Sequence, residues 1–257
     1  MDNPQVFVWP IIMIVFFGGY MLWMKSRTQS AMAGLGPAMH SFFARTGFRY
    51  AQLPPEPIEA HVHLAMQEAS NYSAGNRVVH YVRNFHGLPI HFRQAYQYSG
   101  NTYSISCSWS AALAAPARIP FQIADRSLSS MGKAVREAFS NTTRVWNPKF
   151  PHTVTTGMPH IDQRFVVLGH DPAAVQWLLQ QNPALVAALT QCVEVDLWVD
   201  GCDAVFSDPS QKNMTAAMGG TVGQMALGFD YGKRMDMSIP VHERMSEILA
   251  LAARASQ

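Results

Sequence analysis

Apolar and polar positions alternate with three different rhythms along the chain. From Val6 to Met24 nineteen residues, VFVWPIIMIVFFGGYMLWM, carry no charge. At about 1.5 Å per residue a helix of that length reaches about 28 Å, close to the hydrocarbon thickness of a bilayer. Trp9 near one end, with Tyr20 and Trp23 near the other, fits the headgroup depths that amphipathic rings favour, and Pro10 falls early enough to cost few hydrogen bonds. A cleavable signal needs basic residues before the run and small residues after it; MDNPQ and LWMKSR supply neither. The pattern predicts a single transmembrane anchor over residues 1–25, whose Gly18-Gly19 pair offers a face for close helix approach.

The second rhythm is short. Residues 26–56 begin with a small, glycine-containing stretch, after which Pro37 is expected to open a juxtamembrane helix with Met39, Phe42 and Phe43 on one face and Gly47 as its stop. Leu53-Pro54-Pro55-Glu56-Pro57 then reads as a stiff hinge.

The third region, 57–257, mixes periods of two and of 3.6. Ile58, Val62, Met66 and Ala69 share a helical stripe, whereas VVHYVRNF, LPIHFRQAYQY and TYSISCSW are β-rich and separated by turn-like segments, which predicts a three-strand antiparallel meander. In the third of these Tyr103, Ile105, Cys107 and Trp109 alternate with Thr102, Ser104, Ser106 and Ser108, so one face packs inward. Ile119 to Ile123 and Phe165 to Leu168 read as further strands, and Leu128, Met131, Val135 and Phe139 as a helix. Asp171-Pro172 and Asn182-Pro183 both combine a cap with proline, predicting two consecutive helices. Val193 to Val199 alternates strictly and leads through Asp200-Gly201, a type I′ signal, into Ala204 to Phe206. Pro240 is expected to open a terminal helix. The fold class is therefore α+β: one N-terminal transmembrane helix, then a domain of antiparallel meander and hairpins packed with helices.

Composition narrows the function. With 14% charged residues, 48% apolar residues and a net charge of +2, the chain matches neither a disordered segment nor a nucleic-acid binder. Lys25, Arg27, Arg45 and Arg49 precede the first acidic residue after the anchor, Glu56, so the positive-inside bias puts the N-terminus outside and the domain in the cytoplasm, at a bacterial inner membrane. Three cysteines without C-x-x-C spacing read as free thiols in a reducing compartment.

Candidate chemistry is sparse. His61 and His63 point about 200° apart on a helix and cannot share an ion. Glu194 and Asp196, about 7 Å apart on one strand face, form an acid pair best read as a solvated hairpin face. Met214 to Phe229 is uncharged and rich in small residues, and lacks the spacing of a phosphate loop. No catalytic, cofactor-binding or metal residue is assigned, and no cofactor. His91 and Arg93 share a pleat face that is expected to extend toward Ser104 and Ser106.

TGMPHIDQRFVVLGHDPAAVQWLL, Thr156 to Leu179, and HSFFARTGFRY, His40 to Tyr50, resemble a pattern in bacterial proteins of unassigned activity that join one N-terminal membrane helix to a cytoplasmic α+β domain. The resemblance implies that architecture and no activity. The expected role is an accessory subunit that stabilises a larger inner-membrane complex, with the bilayer and other complex subunits as partners. Its candidate contact residues are Gly18, Gly19, Phe42, Phe43, His91, Arg93 and Trp198; a membrane-tethered hydrolase or a small-ligand sensor with a pocket under the sheet is the alternative.

Overall fold

The computed structural model describes residues 5–70, 77–99, 102–126, 149–220 and 230–257. Helix α1, Gln5–Thr46, is one continuous element of 42 residues. At about 1.5 Å per residue it is about 63 Å long. The juxtamembrane helix expected to start at Pro37 is thus the last part of a longer rod, because burial of Leu35, Met39, Phe42 and Phe43 on one stripe outweighs the single bond proline forfeits. Gly47 ends it as expected: φ is +72°, and its N–H donates to Phe43 O at 3.0 Å. Among the described residues no helix is long and apolar enough to cross a membrane. Most side chains of the proposed anchor, Val6 to Met24, lie outside the described residues.

Strand β1 (Arg49–Tyr50) follows, then α2 (Ile58–Ser70) and the meander of β2 (Arg77–Phe85), β3 (Leu88–Ser99) and β4 (Thr102–Ala112). The β2–β3 turn is His86-Gly87, both at positive φ, with Asn84 Oδ1 accepting from Gly87 N at 2.8 Å, as a type I′ hairpin requires. β5 (Phe121–Asp125), β6 (His152–Val154), α3 (Pro159–Arg164) and β7 (Phe165–Gly169) come next. The helix expected through Leu128 to Phe139 lies outside the described residues.

Two helices, α4 (Pro172–Gln181) and α5 (Pro183–Thr190), appear where cap-plus-proline chemistry placed them. Asp171 caps α4 through bonds from Ala173 N and Ala174 N at 3.0 and 3.1 Å. The Asn182 side chain instead donates back to Leu178 O at 2.7 Å and closes α4, while its carbonyl accepts from Val186 N at 3.2 Å to begin α5. β8 (Asp196–Asp200) and β9 (Asp203–Asp208) form the second hairpin, and its two-residue loop is Gly201-Cys202 rather than Asp200-Gly201. Glycine at φ +56° stands in the first loop position, where a type II′ turn needs it. α6 (Lys212–Ala217) and α7 (Tyr231–Ser256) complete the chain; residues 221–229 of the uncharged stretch lie outside the described residues. Pro240 sits inside α7, which Asp230 caps by accepting from Lys233 N at 3.0 Å. The helix continues through it, with Val241, Met245, Ile248 and Ala252 as its buried stripe.

The chain is α+β, with a large antiparallel sheet and helices against it. Among the described residues nine strands form that sheet, in the order β1-β2-β3-β4-β9-β8-β5-β7-β6. Trp109, Phe206 and Leu197 lie side by side on its inner face, all fully buried beneath α7.

Candidate ligand-binding cavity

β2 carries Arg77, Val79, Tyr81 and Arg83 at one parity, and all four point inward. Arg83, 5% exposed, makes this tolerable by donating to Thr46 O at 3.0 Å, His242 O at 3.2 Å and Ser246 Oγ at 3.2 Å, and by pairing with Glu243. Its guanidinium lies 4.8 Å from the centroids of both Phe48 and Phe85. One strand, two helices and the turn after α1 are pinned at this end of the sheet.

Beyond that pin the sheet and helices separate around a cavity of about 350 Å³. Its sheet wall is Val79, Tyr81, Phe92 and Ile105, faced by Leu35, Met39 and Phe42 of α1. Met214 of α6, Met218 just after that helix and Met235 of α7 also line it, thioethers that adapt to irregular shapes. His242 lies at the closed end, ringed by Phe42, Phe48, Phe92 and Trp109 with centroids 4.6 to 5.6 Å away. Trp109 Nε1 donates to His242 Nδ1 at 3.0 Å, which puts the imidazole proton on Nε2. Burial, reinforced by the Arg83 charge, holds this histidine down to about 3, so it is neutral.

Polar groups line the cavity away from His242: Arg77, Glu68, Gln94, Gln211 and Arg234. Arg77 Nη2 pairs with Glu68 Oε2 at 3.0 Å and Nη1 caps the Glu68 carbonyl. Among the described residues, Arg77 Nε is buried without a hydrogen-bond partner, and so is the hydroxyl of Tyr50, a residue 1% exposed. Burial, and next the interaction of its hydroxyl with the Glu68 carboxylate, raise the Tyr50 phenol.

The expected contact residues fare differently. Phe42 and Phe43 are 5% and 1% exposed; they fill the core and are withdrawn as surface, because the rod that carries them packs its apolar stripe on the sheet. Gly18 and Gly19 are exposed, with nothing within 4 Å of a Cβ built at either. His91 and Arg93 do share the outer face, but register pairs them with Ser110 and Ser108 rather than Ser106 and Ser104. Trp198, half-buried, belongs to the same lateral row as His91, through Ser110 and Val205. His80 Nε2 meets His91 Nδ1 at 3.0 Å, and burial with Arg93 nearby lowers both pKa values.

Glu194 and Asp196 are not a solvated face. They are 1% and 6% exposed, since the strand they precede and open lies inside the sheet; Glu194 pairs with Lys212, and Asp196 accepts from Gln122 Nε2 at 3.3 Å. Neither lines the cavity. His61 is a structural residue, its Nδ1 accepting from Tyr50 N at 2.7 Å and its Nε2 donating to Pro54 O at 2.8 Å, while His63 is exposed. Among the described residues no group of three or more metal-ligating side chains converges.

Sequence reading missed the cavity's Tyr50, Arg77, Arg234 and His242. The signal for Arg77 was its parity with Val79 and Tyr81; His242 was readable from its four-residue step to Ser246 beside the buried stripe.

No family model and no curated protein matches the chain. The solved structures include a distant likeness, the crystal structure of the mycobacterial trehalose monomycolate transport factor A, TtfA. It is 10% identical, with 80% of this chain and 94% of that chain covered and a TM-score of 0.38.

Proposed function

We propose that this chain is a membrane-tethered ligand-binding domain, in which the cavity beneath the meander takes a small, mainly apolar molecule. The carrying observation is the cavity itself. Its volume and its apolar, aromatic and methionine lining, with a few polar groups at one end, fit the general form of small-molecule sites.

The tether rests on α1. Phe17, Tyr20, Met21 and Leu22 are 64%, 53%, 64% and 71% exposed on a helix continuous with the core, a grouping that a lipid phase would cover. With Val6 to Met24 as a single pass through the bacterial inner membrane, Lys25 and Arg27 set the domain on the cytoplasmic side. An accessory role in a larger complex keeps Gly18, Gly19 and the row of His91, Arg93 and Trp198 as its surfaces, and loses Phe42 and Phe43. A hydrolase built on Glu194 and Asp196 is not favoured, because both carboxylates are buried and engaged away from the cavity.

The test uses the full chain in lipid nanodiscs with the neutral dye N-phenylnaphthylamine, read against empty discs. Wild type is expected to bind the dye saturably, and Ile105→Trp, which puts bulk into the cavity, to abolish that binding with the thermal transition preserved. Dye binding that survives the substitution unchanged overturns the reading.

A further inference from the structure

The cavity has a direction. β2 and α7 are tied at the closed end by Arg83, which reaches the His242 carbonyl and Glu243. The polar end lies beside the part of α1 around Gly36 and Ala38: a Cβ on Gly36 would meet Met66 Sδ at 3.0 Å, and one on Gly232 would meet Ala38 Cβ at 3.7 Å. Glu68, Arg77 and Arg234, two residues from Met66 or Gly232 or paired to one that is, lie at that same level. The polar end of the cavity therefore lies toward the N-terminal half of α1, which carries the exposed Phe17, Tyr20, Met21 and Leu22.

Two buried polar groups at this end, Tyr50 Oη and Arg77 Nε, have no hydrogen-bond partner within bonding geometry among the described residues, the Glu68 carboxylate lying near the Tyr50 hydroxyl. Buried donors in folded proteins are nearly always bonded, so each such vacancy calls for an acceptor. The charged groups among the described lining residues are Arg77, Arg234 and Glu68, and Glu68 is paired with Arg77. Depth sets the rest. From Arg77 to Tyr81 is four residues of strand, about 13 Å at roughly 3.3 Å each. An extended saturated chain, advancing about 1.25 Å per bond, places about ten carbons in that depth.

We propose that the cavity takes a single-chain anionic amphiphile, its tail among Met39, Phe42, Tyr81 and Phe92 and its acceptor head on Tyr50 Oη and Arg77 Nε. This rests on the ligand-binding reading above. One tail is specified because about 350 Å³ is near the lower bound for ligand sites. The ligand leaves the bilayer to bind. Gly36 stands twelve residues beyond Met24, about 18 Å along a helix, which exceeds the roughly 6 Å of headgroup per leaflet.

The experiment displaces N-phenylnaphthylamine from the full chain in nanodiscs with three compounds of equal chain length: dodecanoate, dodecanol and dodecyltrimethylammonium. Dodecanoate is expected to act at about tenfold lower concentration than the cation, the size of one charge-assisted hydrogen bond. Tyr50→Phe, which removes only the hydroxyl, and Arg77→Met are expected to weaken dodecanoate by about tenfold and leave dodecanol unchanged. A monoacyl phosphatidylglycerol preloaded in the discs tests a bilayer source against dodecanoate supplied from water; displacement by either supports the proposal. Equal displacement by anion and cation, or failure of both anionic compounds, overturns it and leaves the ligand-binding reading standing. A dye that never binds removes both.

Discussion

Arg83 is the charged group on which the packing of three elements depends. Its side chain is 3% exposed and its donors reach α1, α7 and a carboxylate, so replacing it strands the Thr46 and His242 carbonyls. Arg83→Met is expected to lower stability by about 3 kcal/mol in urea titration, within the range for breaking a buried charged network. A loss under about 0.5 kcal/mol would mean that the carbonyls find water instead. Two other buried groups set the response to pH, with opposite signs. The His242 pKa, about 3 when folded, lies below the unfolded value near 6.5, so the unfolded chain takes up the proton first. Its contribution therefore diminishes as pH falls from about 6.5 toward 3, by about 1.4 kcal/mol per pH unit. Asp208, pushed up to about 6 by burial, keeps a proton that the unfolded chain has released, so its contribution diminishes as pH rises from about 3.9 to 6. The lowered His80 and His91 act in the same sense as His242. Asp208→Asn is expected to steepen the acid loss between about pH 6 and pH 4, and His242→Leu to make it shallower. Urea midpoints across that window read both, and identical slopes in all three proteins would refute the assignment.

The long helix shows how local signals and packing divide the work. Gly47 as its stop, and Met39, Phe42 and Phe43 on one face, were legible because capping and periodicity are local properties. Continuity through Pro37 was not, nor was the passage of α7 through Pro240, because proline's cost is fixed locally while the compensating burial comes from a sheet assembled elsewhere. The same holds for Glu194 and Asp196, whose alternation read as a wet face and whose position inside the sheet buried it. Phe43, packed edge-on against Tyr81 with centroids 5.2 Å apart, makes the helix part of the core. Phe43→Ala is expected to destabilise by about 3–5 kcal/mol. Gly18→Leu, at an open position on the same helix, should leave the domain's unfolding midpoint in place. Equal effects of the two would contradict the division of α1 into an embedded half and a projecting half.

Across the whole molecule, sheet order was the part no pattern could give. β5 pairs with β7 and β8 rather than with β4, and the meander merges with the second hairpin into one sheet through β4 and β9, where Trp109 stands opposite Phe206, far away in the chain. That merger leaves the Gly201-Cys202 loop between β8 and β9, and with it the single exposed thiol. Burial pushes the Cys107 thiol up to about 12 and the Cys192 thiol up to about 11, so both stay protonated and sheltered near neutral pH. The unmodified chain therefore carries its own topology reporter. A membrane-impermeant maleimide is expected to leave intact cells unlabelled, and to add one label per chain once the inner membrane is opened, with Cys202→Ser abolishing the signal. Labelling of Cys202 in cells whose inner membrane is sealed would place the domain on the outer side, and the orientation assigned from Lys25 and Arg27 would have to be reversed.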